Sequence, residues 1–220
     1  MNVPQLIRLI LVALLLSPTV AFAQSFSQLL TVNSPFDPST YKPLDNGQRA
    51  HRWLMEDGAG PSLHVQSLAS AAYLQFINDP PKWKSNIGGY ARRAGSSYGS
   101  NLIENSVHES FAAVEGTDPR YFACRCKGFF PRSAHAIKMT FLTYTRSGHE
   151  TLDIPQLAGV YGGSMIEYTW WPHHYSALVQ GVQSGHIVVG IIGAEHIIQE
   201  FSPELKRIIH MRSEPAAVSK

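Results

Sequence analysis

The sequence predicts an all-α protein: a compact bundle of about six or seven helices with glycine-rich helix–helix contacts. Three observations lead there. Apolar and small residues recur at three- and four-residue spacing over long stretches, the period of one helix face. Glycine recurs at about one-turn spacing, above all between Tyr175 and Phe201, which holds Gly181, Gly185, Gly190 and Gly193. No alternating strand pattern of useful length occurs, and the β-branched run Ile187-Val188-Val189 sits inside a much longer helical pattern.

Residues 1–23 have the pattern of a secretory signal peptide. Arg8 gives a positive start, Leu9 to Leu16 an apolar core, and Ala21-Phe22-Ala23 an A-x-A cleavage site. The apolar run is too short for a membrane span. An exported protein, periplasmic or associated with the outer envelope, is therefore expected. Residues 24–44, with Pro35, Pro38 and Pro43, read as an extended lead-in. Residues 45–212 form the expected single helical domain, and 213–220 a disordered tail.

Within the domain, Asp45 caps a helix through Gln48 to Glu56. Ser62 caps a second to about Asn78, stopped by Asp79-Pro80-Pro81. Ser85 opens a third to Val114, with Ala91, Gly95 and Gly99 as a small-residue stripe and Ile103, Val107, Phe111 and Val114 as its apolar face. Glycine inside a helix costs about 0.5–1 kcal/mol relative to alanine, so a stripe of it implies a closely packed neighbour. Ser133 caps a helix to Arg146. A further helix starts within 151–155 and runs to about Trp170, with the pair Gly159 and Gly163. Tyr175 to Phe201 follows, and Ser202-Pro203 opens a short amphipathic helix ending near Met211.

Composition narrows the function classes. Charged residues make up 15% of the chain and hydrophobic ones 44%, against roughly 25% charged in ordinary globular chains. This points to extensive helix burial, a membrane-contacting surface or a partner interface. Loss of Arg8 leaves 17 of the 18 basic side chains against 16 acidic ones. Scattered signs give no basic stripe and no support for nucleic-acid binding. The 19 residues Ser176 to Ala194 lack Asp, Glu, Lys and Arg and would span about 28 Å as a helix, close to a bilayer core. Gln180, Gln183 and His186 interrupt that stretch, which favours a water-soluble or peripherally attached bundle over insertion.

The candidate site residues are few. Glu104 and His108 lie one turn apart on the third helix. A carboxylate that orients an imidazole is the minimal general-base unit, although the same pair is equally an ordinary i,i+4 contact. His173, His174 and His196, with Glu195 and Glu200 nearby in sequence, are candidate ligands of a divalent metal; no other cofactor is implied. No HExxH, GxSxG, P-loop or dinucleotide fingerprint occurs. Asp118 is expected to cap a turn, Arg120 to pair with a helix-end carboxylate, and Tyr121 and Phe122 to dock on the core. Cys124-Arg125-Cys126 admits a strained bridge, free thiols, an intermolecular bridge or half a soft-metal site. Two incidental thiols in a loop is the simplest reading, because a zinc site needs four ligands.

The signal peptide, Pro-Pro-x-Trp at 80–83, Asp-Pro-Arg-Tyr-Phe at 118–122, Ser147-Gly148, Trp-Trp-Pro at 170–172 and Gln199-Glu200-Phe201 together resemble a family of exported bacterial hypothetical proteins. The resemblance implies location and no activity, fold or ligand. The expected function is a non-enzymatic envelope protein acting in membrane association or assembly, with an envelope protein or a membrane surface as partner and oligomerisation open. The alternative is a periplasmic hydrolase or metal-binding enzyme using the Glu/His residues.

Overall fold

The structure, a computed structural model, describes residues 35–57 and 60–213. The expected signal peptide, residues 24–34 of the lead-in and the tail beyond 213 lie outside them. Helices dominate and pack against one another, and a small antiparallel sheet joins them at one end.

Helix α1 (Asn46–Arg52) starts at Asp45 in a reciprocal cap: Gln48 N–H donates to Asp45 at 2.8 Å, and Asp45 N–H donates to Gln48 at 3.0 Å. Helix α2 (Pro61–Phe76) begins with Gly60 and Pro61 rather than at a Ser62 cap. Glycine is required there because a Cβ would stand 2.2 Å from the Met55 carbonyl oxygen. Helix α3 (Ile87–Glu115) is capped by Asn86, whose side chain accepts from Gly89 N–H, not by Ser85. It ends at Gly116, whose φ of 75° is left-handed.

The predicted helix from Ser133 to Arg146 is corrected. Helix α4 is Phe129–Lys138, and the chain then turns into strand β2 (Leu142–Thr145). Strand β2 pairs with β1 (Thr117–Asp118) on one side and β3 (Glu150–Leu152) on the other. The segment Leu-Thr-Tyr-Thr is β-branched and aromatic, which suits a pleated surface. Gly148, with φ 82°, turns the β2–β3 hairpin. Strand β3 also takes residues 151–152 from the start of the next predicted helix. Helix α5 is Ile154–Glu167, capped by Asp153 at Gln156 N–H, and stops short of Trp170. Helix α6 (Ala177–Glu200) is capped by Ser176, and α7 (Ser202–Ser213) follows.

Helix α3 lies between α2 and α5; α6 packs on the far side of α5 and also carries α4. Backbones meet closely. A Cβ on Gly159 would lie 2.7 Å from the Glu104 carbonyl oxygen, and one on Gly163 3.0 Å from the Glu104 Cβ. Gly181 meets the backbone of Met165, and Gly185 the ring of Tyr161, at 2.4 Å or more from an added Cβ. The expected glycine contacts thus hold for α5 and α6. They do not hold for the α3 stripe: Gly95 has nothing within 4 Å, and Gly99 touches only Trp170. Helix α3 buries serines instead, at 96, 97 and 100, while Phe111 and Val114 from its predicted apolar face are exposed.

At the sheet end, Tyr121, Phe122, Met139 and Tyr144 form a buried cluster, closed by Phe36 and Tyr41 from the lead-in. Asp118 is buried and takes Arg120 through both carboxylate oxygens, at 2.9 and 2.6 Å, and the Tyr41 hydroxyl at 2.9 Å. Arg120 therefore pairs within its own turn rather than with a helix-end carboxylate. The aromatics dock on the core as expected.

The glycine contacts separate two classes of substitution. Gly162→Ala adds a methyl group where nothing lies within 4 Å and is expected to stabilise the protein by about 0.5–1 kcal/mol. Gly159→Ala, against a backbone that cannot yield, is expected to destabilise it by about 1–3 kcal/mol. Urea unfolding of the two variants beside wild type measures the contrast.

Candidate functional site

The α3–α5 contact centres on Glu104 and His108, and it separates them chemically. His108 faces Asp153 at the start of α5, with Nε2 to Oδ1 at 3.9 Å, too long for a hydrogen bond. Burial, reinforced by Arg52 and Arg49, pushes the His108 pKa down to about 3, so the ring is neutral. Burial pushes Asp153 up to about 6. Glu104 has different charged neighbours. Burial together with the charges of Glu195 and Glu167 pushes it up to about 7. Glu195, from α6, is also raised to about 7 by burial. Glu167 is raised by burial and steadied by the Ser96 hydroxyl, which donates to it at 2.7 Å. Ser96 Oγ in turn accepts from the indole N–H groups of Trp170 and Trp171, each at 2.9 Å. Glu104 thus feels the charges of Glu195 and Glu167, whereas His108 faces Asp153.

The candidate metal ligands are apart. His173 and His174 occupy the exposed turn before α6, where His174 packs on Tyr175. His196 lies 19 residues beyond the start of α6, about 28 Å along the helix. It stacks on Tyr121 with ring centroids at 4.4 Å, and burial lowers its pKa to about 4. Among the described residues no group of three or more His, Cys, Asp or Glu is placed to hold a metal ion.

Glu200, which the sequence offered only beside the candidate metal ligands, closes α6 and instead anchors Tyr121, Cys124 and Arg132. It is 1% exposed. The Tyr121 hydroxyl donates to it at 2.5 Å, Cys124 N–H to both oxygens at 3.1 Å, and Arg132 Nε at 3.3 Å. Burial and Glu200 together push the Tyr121 hydroxyl well above the usual phenol range. Arg132 also bridges to Glu204 at 2.6 Å. Cys124 and Cys126 are bonded to each other, which corrects the reading of two incidental thiols. The bridge borders a cleft of about 540 Å³ shared with Lys127, Arg132, Glu200 and Glu204.

The third feature is the outer side of α6. Leu178, Val179, Gln183, His186, Ile187, Gly190, Ile191 and Ala194 are exposed. They recur at three- and four-residue spacing and form one continuous stripe with no Asp, Glu, Lys or Arg. Ile187 is 66% exposed and Ile191 53%. Nothing lies within 4 Å of a Cβ placed on Gly190. Helix α6 is long and apolar enough to cross a membrane, and only 11% of its most apolar window is buried. The sequence marked this helix by its glycines; only the packing shows that Gly181 and Gly185 face inward while Gly190 faces out.

No family model, no curated protein and no solved structure matches this chain.

The raised carboxyls have a pH signature. A carboxyl raised in the folded state stabilises the fold fully below its unfolded value, and that contribution is lost as pH rises through about 7. His108 and His196 act in the opposite sense: their contribution is lost as pH falls below the unfolded histidine value. Comparison with wild type cancels the histidine part. Between pH 6 and pH 8, Glu104→Gln is expected to gain on the order of 1 kcal/mol relative to wild type, with Glu195→Gln similar. Denaturant unfolding at the two pH values checks it. A constant difference between variant and wild type would refute the assignment.

Proposed function

We propose that the protein is an exported, non-enzymatic component of the cell envelope that assembles with a partner through the outer face of α6. The observation that carries this reading is the uncharged stripe from Val179 to Ala194. An outward helix face in a soluble protein is ordinarily charged. One without charge over a 24-residue helix leaves apolar area in water, at a cost of about 25 cal/mol per Å², unless another surface covers it.

The stripe's composition favours a helix as the covering surface. Small residues at Gly190 and Ala194, flanked by Ile187 and Ile191, match the packing device of close helix pairs. Gln183 and His186 disfavour direct exposure to lipid hydrocarbon, where polar groups are costly. Other large exposed side chains, Phe76, Ile87, Val114 and Phe130, fit a molecule that works inside a larger assembly. The hydrolase alternative draws on the raised carboxyls of Glu104 and Glu195, since perturbed pKa values gather at functional sites. Its proposed base, His108, lies 3.9 Å from Asp153 at Nε2, beyond hydrogen-bond reach, and the candidate metal ligands do not converge.

The test is fractionation. Wild-type protein is expected to sediment with membranes or in a complex after osmotic release. The double variant Ile187→Glu/Ile191→Glu is expected to appear as a soluble monomer with unchanged far-UV circular dichroism, because both positions are solvent-facing. Wild type recovered wholly soluble and monomeric would end the proposal.

A further inference from the structure

We propose that the Cys124–Cys126 bridge is a thiol–disulfide exchange site, an activity distinct from assembly through α6. Three observations point there. First, the bridge joins residues two apart in one loop. A disulfide stabilises a fold mainly by closing a long stretch of chain, and this one closes almost none. The loop is already anchored by Cys124 N–H on Glu200, so a purely structural role for the bridge is weakly served.

Second, the bridge is accessible. Both cysteines are partly exposed and line the cleft. Lys127 and Arg132 on its rim balance Glu200 and Glu204, so the cleft sets no net negative charge against an incoming thiolate. Third, the two sulfurs differ. Cys126 N–H points at Cys124 Sγ at 3.1 Å. A donor on that sulfur stabilises it as a thiolate, and the sulfur that is better stabilised leaves faster.

The reaction follows from this asymmetry. A thiolate of a cysteine-containing dithiol substrate attacks Cys126 Sγ. The bond between the two protein sulfurs breaks, and Cys124 leaves as the thiolate held by the Cys126 amide. The second substrate thiolate then attacks the substrate sulfur of the mixed disulfide and releases Cys126. The substrate loses two electrons and gains a disulfide; the cysteine pair gains two electrons and takes up the two protons that the substrate thiols released. The reverse reaction, with a disulfide substrate, regenerates the bridge.

The full-length protein is equilibrated with millimolar reduced glutathione, blocked with N-ethylmaleimide and weighed by mass spectrometry. Two adducts are expected after reduction and none before, with far-UV circular dichroism unchanged. With glutathione disulfide as probe, Cys126→Ser, which leaves Cys124 and keeps the amide that stabilises its thiolate, is expected to form the mixed disulfide several-fold faster than Cys124→Ser. A bridge that yields to glutathione only in denaturant overturns the proposal. So do thiols that are already free in oxidising buffer, or equal rates for the two variants. None of these outcomes bears on the fractionation of the α6 variants, so the two proposals fail separately.

Discussion

The close approach of α5 to the helices on either side of it is the constraint on which the rest of the structure depends. Gly159 and Gly163 bring α5 onto the backbone of α3 at Glu104, and Gly181 and Gly185 bring α6 onto α5 at Met165 and Tyr161. Glycine in a helix sacrifices stability locally; here it is offset by dispersion contacts between backbones that no larger residue permits. The seam also fixes what lies beside it. Glu104, Glu167 and Glu195 are buried where three helices are drawn together, and burial holds their carboxyls toward the neutral form.

A bundle held by glycine and serine has little room for large side chains inside. That accounts for the unusual distribution of apolar residues: Leu63 and Val160 are buried, whereas Phe76, Ile87 and Val114 face out. Polar groups inside are answered locally. Arg93 is fully buried, and its guanidinium donates to the carbonyl oxygens of Asp79, Pro80 and Lys84 and to the Gln75 side chain. It thereby shapes the Asp79-Pro80 turn beside α3 without an acidic partner in that group of acceptors. The low overall charge, the thin interior and the uncharged outer stripe of α6 are the features on which the proposed partner surface rests.

The two ends of α6 do different work. Near its start, Ser176 and the aromatic turn of Trp171 and Tyr175 set it against α5. At its end, Glu200 gathers Tyr121, Cys124 and Arg132. The disulfide loop is therefore rigid at Cys124 and open at the cleft, a combination that suits exchange chemistry better than a bridge deep in the core.

The sequence by itself determined the helical class, the order of the long helices and the cap at Asp45, because these rest on local periodicity and on hydrogen bonds between near neighbours. It also marked α5 and α6 as close-packing helices, since glycine at one-turn spacing has few other uses. Only the tertiary structure decided the sheet, which depends on β1 meeting β2 across 25 intervening residues or more, and a four-residue strand carries too short a pattern to be told from a helix end. Only packing showed that Glu104 and His108 face different partners, that Gly95 is open while Gly185 is covered, and that Glu200 is the buried anchor of the cysteine loop. Each of these depends on which side of a helix meets a neighbour, and a helix in isolation has no preferred neighbour. The one-turn pattern of α6 is the same on its inner and outer faces; the contact with Met165 and Tyr161 makes one of them core and leaves the other as surface.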